Sequence, residues 1–200
     1  STLRIGGRKK GRTNYTVTVP ASIRDIFGQT LGDASSHTFK VGPAEPVLQG
    51  PRREFVVLDP KGKQTLPIYT TNRKDVRLKI ARVEPTDRAL LVKAMEGWRY
   101  RDAKPPNLPG TLLFDKRVSI EGRPDELVET QLDLSPYLNN GLGQLVVWVE
   151  AEKPKGPWDQ NLVWAWVQST QLAVAAQSDH DVLQIWGTQL SDGTPAEGAT

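Results

Sequence analysis

Apolar and polar residues alternate along most of this chain. Tyr15, Val17 and Val19 share one parity, Thr16 and Thr18 the other, and Pro20 ends the run. A period of two is the pattern of a strand with one buried face. Similar runs occupy residues 38–41, 55–58, 76–83, 118–120, 127–134, 145–149, 162–167, 172–175 and 182–186, so ten short strands are predicted. Fifteen prolines and 17 glycines fall mainly between them, where they break ladders and fix turns. Many short, punctuated strands favour antiparallel sandwiches over a parallel sheet. One segment departs from this period. Leu90, Leu91, Ala94, Met95 and Trp98 recur at spacings of three and four after Thr86, which predicts one short helix with Thr86 as its N-cap. Ser135 before Pro136 suits a further helical turn over residues 135–138.

Composition then divides the chain. Residues 42–51 are rich in Gly and Pro, and residues 152–157 read EKPKGP; both look like linkers. They separate residues 1–42, 46–153 and 158–200, and only the middle piece has the size of a sandwich domain. Three or four strands cannot easily bury a core alone, so the end pieces are expected to lean on the middle module, on each other or on further chain. The chain starts at Ser1 and stops at Thr200 inside a strand-like pattern, and it reads as a processed or excised piece. An apolar share of 38% and a charged share of 24% are those of a globular chain. The longest apolar run, residues 145–149, falls far short of the ~20 residues of a spanning helix.

Zero cysteines exclude disulfides, thiolate metal sites and a cysteine nucleophile. A net charge of +3, with 26 basic and 23 acidic residues, does not point to nucleic acid. The densest basic cluster is Arg4, Arg8, Lys9, Lys10 and Arg12. No aromatics interleave it to stack bases, so a solvated loop bent at Gly6, Gly7 and Gly11 is the better reading. Asp179, His180 and Asp181 carry donor atoms for a metal, but neighbours on a strand point to opposite faces. The same geometry removes Ser178, Asp179 and His180 as a hydrolytic triad. His37 has no evident partner. Asp125 with Glu126, and Glu121 with Glu129, have no fixed separation and receive no role as acid and base. Trp158, Trp164, Trp166 and Trp186 cluster in the last third. Alternation puts Trp164 and Trp166 on one face, where core packing outweighs a ligand platform. Trp98 and Trp158 lie near loops and are the candidates for interdomain contacts. No catalytic, cofactor-binding or metal-binding residue emerges, and no cofactor is implied.

Three stretches resemble the bacterial α2-macroglobulin family. NLVWAWVQSTQLAVAAQSDHDVLQIWGTQLSDGTPAEGAT is similar to the opening of a macroglobulin domain, with Leu190, Asp192, Gly193, Pro195, Gly198 and Ala199 in its turn. Asp-Gly supplies a tight turn there and Pro fixes the approach of the next residue. ELVETQLDLSPYLNNGLGQLVVWVEAEKP resembles the last two strands of another such domain. TNYTVTVPASIRDIFGQTLGDASSHTFKVGP resembles the closing strands of a bacterial Ig-like domain, with Ile23, Asp25, Phe27, Gly28 and Leu31 in the connection.

The resemblance implies an all-β fold: tandem antiparallel β-sandwich domains, macroglobulin and Ig-like, with one short helix. Residues 1–42 would close an Ig-like domain, residues 46–153 would form a macroglobulin sandwich, and residues 158–200 would open the next. In the family, a protease cuts an exposed bait segment and is enclosed, and many members carry a thioester built on cysteine. This sequence has no cysteine for that reaction and no evident bait. A non-catalytic scaffold segment of a broad-spectrum protease inhibitor is therefore expected. Its partners would be other domains of the same polypeptide and, indirectly, target proteases, with neither nucleic acid nor direct membrane insertion. The resemblance implies a secreted protein of the periplasm or cell envelope, with any lipid anchor in a part of the parent outside this sequence. The alternative is a cell-surface Ig-like module for adhesion or carbohydrate binding.

Overall fold

The computed structural model describes residues 6–7, 9–99, 107–152 and 161–198. The order is β1 (Asn14–Val19), β2 (Ser35–Lys40), β3 (Val47–Gln49), β4 (Phe55–Leu58), β5 (Thr65–Thr71), β6 (Asp75–Arg82), α1 (Asp87–Arg99), β7 (Thr111–Ser119), β8 (Val128–Asp133), a 3-10 turn (Ser135–Tyr137), β9 (Gly143–Glu150), β10 (Leu162–Ser169), β11 (Leu172–Ser178) and β12 (Leu183–Gln189). Among the described residues the fold is all-β with one α-helix. No described helix is long and apolar enough to cross a membrane.

Two sheets build the central sandwich. One has the strand order β4-β10-β9-β6-β7 and the other β3-β5-β8. All pairs are antiparallel except β4 with β10. Between the sheets lie Leu48, Leu66, Ile68 and Leu132 from the smaller one, facing Val76, Leu78, Ile80, Leu145, Val147, Val149, Ala165 and Val167 from the larger. The opposite face of the larger sheet is also apolar. Val146, Trp148, Trp164 and Trp166 meet Leu91 and Met95 of α1 there. Buried on both faces, β9 and β10 are near-continuous apolar runs, as such strands must be.

The expected boundary at residues 152–157 does not separate two sandwiches. Residues 162–169 were assigned to a following module, yet they form β10, paired over its whole length with β9 and flanked by β4. Linker-like composition and the connection of two adjacent strands look alike in sequence, because both need Pro and Gly. The sandwich therefore runs from Val47 to Ser169, and only β11 and β12 form a separate two-stranded sheet beyond it. Residues 42–51 also contain β3, so the join after β2 is shorter than their composition suggests.

Two strands escape the periodicity. Pro67 argues against a strand in residues 65–71, since proline cannot donate to a ladder. It is tolerated because β3 pairs only with Tyr69–Thr71, so β5 is locally an edge at Pro67, with β8 alone beside it. The helix forms where its spacing predicts, but Leu90 is exposed and only Leu91 and Met95 are buried among its described side chains. Just before the helix, Asp87 Oδ2 accepts the Glu84 N–H at 3.0 Å; this bond fixes the approach to the helix and differs from the N-cap bond expected of Thr86, which would accept an N–H from within the first turn.

Trp164→Ala or Trp166→Ala is expected to destabilise the sandwich by about 3–5 kcal/mol, the usual loss for a truncated buried aromatic. Trp186→Ala, at a side chain 47% exposed, is expected to cost about 1 kcal/mol or less. Urea unfolding of the three variants checks this; equal losses would contradict the assignment of the core.

Candidate functional site

The described residues hold few converging polar groups, and the densest set lies where the β1–β2 hairpin joins the sandwich. Asp125, in the β7–β8 connection, has a side chain 12% exposed. Its Oδ1 accepts the Ala44 N–H at 2.9 Å and the Asn72 Nδ2–H at 2.8 Å. Its Oδ2 accepts the Arg12 Nε–H at 3.0 Å. The Asn72 amide closes the circuit, donating to Ala44 O at 2.7 Å and accepting the Asp125 N–H at 2.9 Å. Arg12 N–H in turn donates to Gly42 O at 3.0 Å. These bonds tie the start of the hairpin, its end, the β5–β6 turn and the β7–β8 connection. Hydrogen bonds from Asn72 and Ala44, with the charge of Arg12, hold the Asp125 carboxyl below its ordinary range.

Backbone conformation marks the same place. Arg12 (φ 54°), Asn72 (φ 51°) and Asp125 (φ 65°) are left-handed, three of the four described non-glycine residues in that region. Such conformations persist where surrounding contacts over-determine them. Gly11 is needed for a different reason: a Cβ there would lie 2.6 Å from Asp125 Oδ2. No sequence signal pointed to Asp125, because its partners are 113, 81 and 53 residues away.

Most of the sequence-based candidates stand apart from this junction. Arg12 is the one described member of the basic cluster that meets a carboxylate, while Lys10 N–H donates to Tyr15 Oη at 2.7 Å. Arg4 and Arg8 lie outside the described residues. His37 does have a partner: its Nε2 lies 3.0 Å from Ser35 Oγ. His180 Nδ1 lies 2.7 Å from Asp181 Oδ1, both side chains being more than 80% exposed. No group of three potential metal ligands converges among the described residues. Trp164 and Trp166 share one buried face, and Trp186 is partly exposed. Of the two candidate interdomain contacts, Trp158 and the side chain of Trp98 lie outside the described residues.

The turns read from sequence take definite form. Asp25 Oδ1 accepts the Phe27 and Gln29 N–H groups, both at 2.9 Å, and a bridge pairs Arg24 with Thr30. Asp192 Oδ1 accepts the Thr194 N–H at 3.0 Å, and Gly193 adopts φ 74°, a conformation that favours glycine. Both end sheets leave large apolar side chains exposed: Ile26 and Phe27 at the β1–β2 connection, and Val174, Leu183 and Ile185 on one face of β11–β12.

Comparison with known proteins gives a consistent relationship. No protein-family model matches the chain. An α2-macroglobulin homolog from Nostoc sp. is 26% identical over 200 residues, covering 92% of this chain. The chain spans about a tenth of that relative's length, 10%. The native Escherichia coli α2-macroglobulin structure spanning domains MG0-NIE-MG1 has a TM-score of 0.57 at 17% identity, over 94% of this chain and 59% of that one. A Salmonella α2-macroglobulin structure has a TM-score of 0.56 at 18% identity, over 91% of this chain and 10% of that one.

Four carboxyls are held below the ordinary range: Asp115 by Arg77, Asp125 by Asn72 and Ala44, Asp133 by Ser135, and Asp192 by Thr194. A depressed folded-state value gives stability that is present above the unfolded value and lost as pH falls through the folded one. The thermal midpoint is therefore expected to fall as pH drops below ~4. Asp133→Asn should lower the neutral midpoint and flatten that acid slope. Calorimetry across pH tests both, and an unchanged midpoint down to pH ~2 would contradict the assignment.

Proposed function

We propose that this chain, similar over 92% of its length to a Nostoc α2-macroglobulin homolog, is a segment of a bacterial α2-macroglobulin and a scaffold of a protease-trapping inhibitor, in which it positions neighbouring modules and carries no reactive centre. The observation that carries this reading is the span of the likeness. It covers 92% of the chain in the curated relative and thus runs through hairpin, sandwich and second hairpin together. A shared order of modules is a property of a framework, whereas a grafted site would be matched locally. The exposed apolar side chains of the β1–β2 connection and of one β11–β12 face fit the same role, since exposed apolar surface of this kind marks contact sites. Other domains of the same polypeptide are the partners that this reading supplies, and a protease is engaged only through the assembled molecule. The periplasm or cell envelope is the compartment it implies.

Adhesion or carbohydrate binding through a tryptophan platform has less support. Trp164 and Trp166 are buried beneath α1, with Trp148 beside them, and a platform needs exposed rings.

Incubation of the intact inhibitor with an endoprotease, followed by size-exclusion chromatography, tests the proposal. The protease is expected to elute with the inhibitor after the inhibitor is cleaved. Deletion of residues 1–198 from the intact inhibitor should abolish retention. A protease that elutes free from the intact molecule would overturn the trapping role, and peptide hydrolysis by the purified segment would overturn its non-catalytic character.

A further inference from the structure

The β1–β2 hairpin and the sandwich belong to different sheets, and their strands make at most marginal contact. Among the described residues, the polar connections between them converge on Asp125 and its circuit. An Asp carboxylate is an acceptor on both oxygens, and here three donors from three separate segments point at it: Arg12 Nε–H, Ala44 N–H and Asn72 Nδ2–H. Asn72 is simultaneously bonded to Ala44 O, so it cannot turn away without losing a second bond. Arg12 is the charged group acting on Asp125 from the elements around it, while Gly11, Ala44 and Asn72 are uncharged.

Adding a proton to Asp125, or replacing it by Asn, puts a donor among donors. A carboxamide can accept from Ala44 and Asn72 through its oxygen, but its NH2 then faces the Arg12 Nε–H. The three left-handed residues, Arg12, Asn72 and Asp125, lose the contacts that over-determine them at the same moment. Gly11 lets the chain pass against the carboxylate with no side chain between.

We propose that Asp125 is the pin of a charge-latched joint: its ionised carboxylate holds the β1–β2 hairpin in one orientation on the sandwich, and neutralising or displacing it lets the hairpin swing. The joint goes beyond the scaffold reading and stands on this chain's geometry alone, so its failure leaves the trapping role untouched.

The chain has no native cysteine, which allows two spin labels to be placed uniquely through Ser36→Cys on β2 and Gln131→Cys on β8. Double electron–electron resonance at pH 7.5 is expected to give one narrow distance distribution. Asp125→Asn should at least double its width. Gly11→Ala, which keeps every donor and the charge but crowds the carboxylate, should broaden it likewise, and Arg12→Gln should broaden it less. Lowering the pH below ~3.5 should broaden the unsubstituted distribution reversibly, with the strand signal in circular dichroism retained. Tryptophan fluorescence is independent of the first hairpin, since none of the six tryptophans lies in residues 1–46 and Trp148, Trp164 and Trp166 report the sandwich core. If Asp125→Asn unfolds the sandwich, Gly11→Ala and Arg12→Gln decide the matter. A distribution equally wide before and after substitution, whether narrow or broad, would overturn the joint.

Discussion

Burial of the five-stranded sheet on both faces is the constraint from which the other features follow. One face packs on β3, β5 and β8, and the other is covered by α1. A sheet with two apolar faces needs two covers, so α1 sits over the tryptophans of β9 and β10. The same demand explains the composition of those strands, in which Val146, Val147, Trp148 and Val149 succeed one another without a polar interruption. Toward the β6–β7 edge the helix-side face changes character. Asp75, Arg77, Asp115 and Arg117 form diagonal ion pairs there, Arg77 holding Asp115 through two hydrogen bonds. Charged side chains along an outer strand discourage pairing with another chain.

Residues with one buried face were the most legible in the sequence. The alternation of Tyr15, Val17 and Val19, and the i, i+4 pair Leu91 and Met95, each report a local periodicity that the fold obeys. What the sequence concealed depends on distant partners. Pro67 hides a strand whose tolerance for proline comes from how far β3 extends along it. The run predicted at residues 118–120 is only the end of β7, which already begins at Thr111, where Leu112 on this outer strand is exposed. Linker-like residues 152–157 disguised the pairing of β9 with β10 for the same reason, since only the register of the two strands reveals it. Asp125 was the least visible of all. One carboxylate among 23 acidic residues carries no local mark, and its importance arises from four segments meeting in space.

The two ends of the chain differ in how they relate to the middle. At the first join, hydrogen bonds, an ion pair and left-handed backbone concentrate within one small circuit. At the second, β10 passes to β11 through Thr170 and Gln171, and Thr170 N–H donates to Leu58 O at 3.1 Å, extending the ladder of β4. The second hairpin thus continues directly from the sandwich's own sheet, whereas the first is attached through polar groups.

The parallel pairing of β4 with β10 has a consequence for how the molecule is made. More than a hundred residues separate Leu58 from Leu162, and β10, the strand between β4 and β9, is the last of the sandwich to leave the ribosome. Until it emerges, β4 has no neighbour and the tryptophan-bearing face of β9 lacks half its partners. Closing so long a loop is slow relative to local pairing. From the synthesis of Leu58 until residues 162–169 follow, β4 therefore waits without its sheet partner, and this edge is the last of the sandwich to be completed.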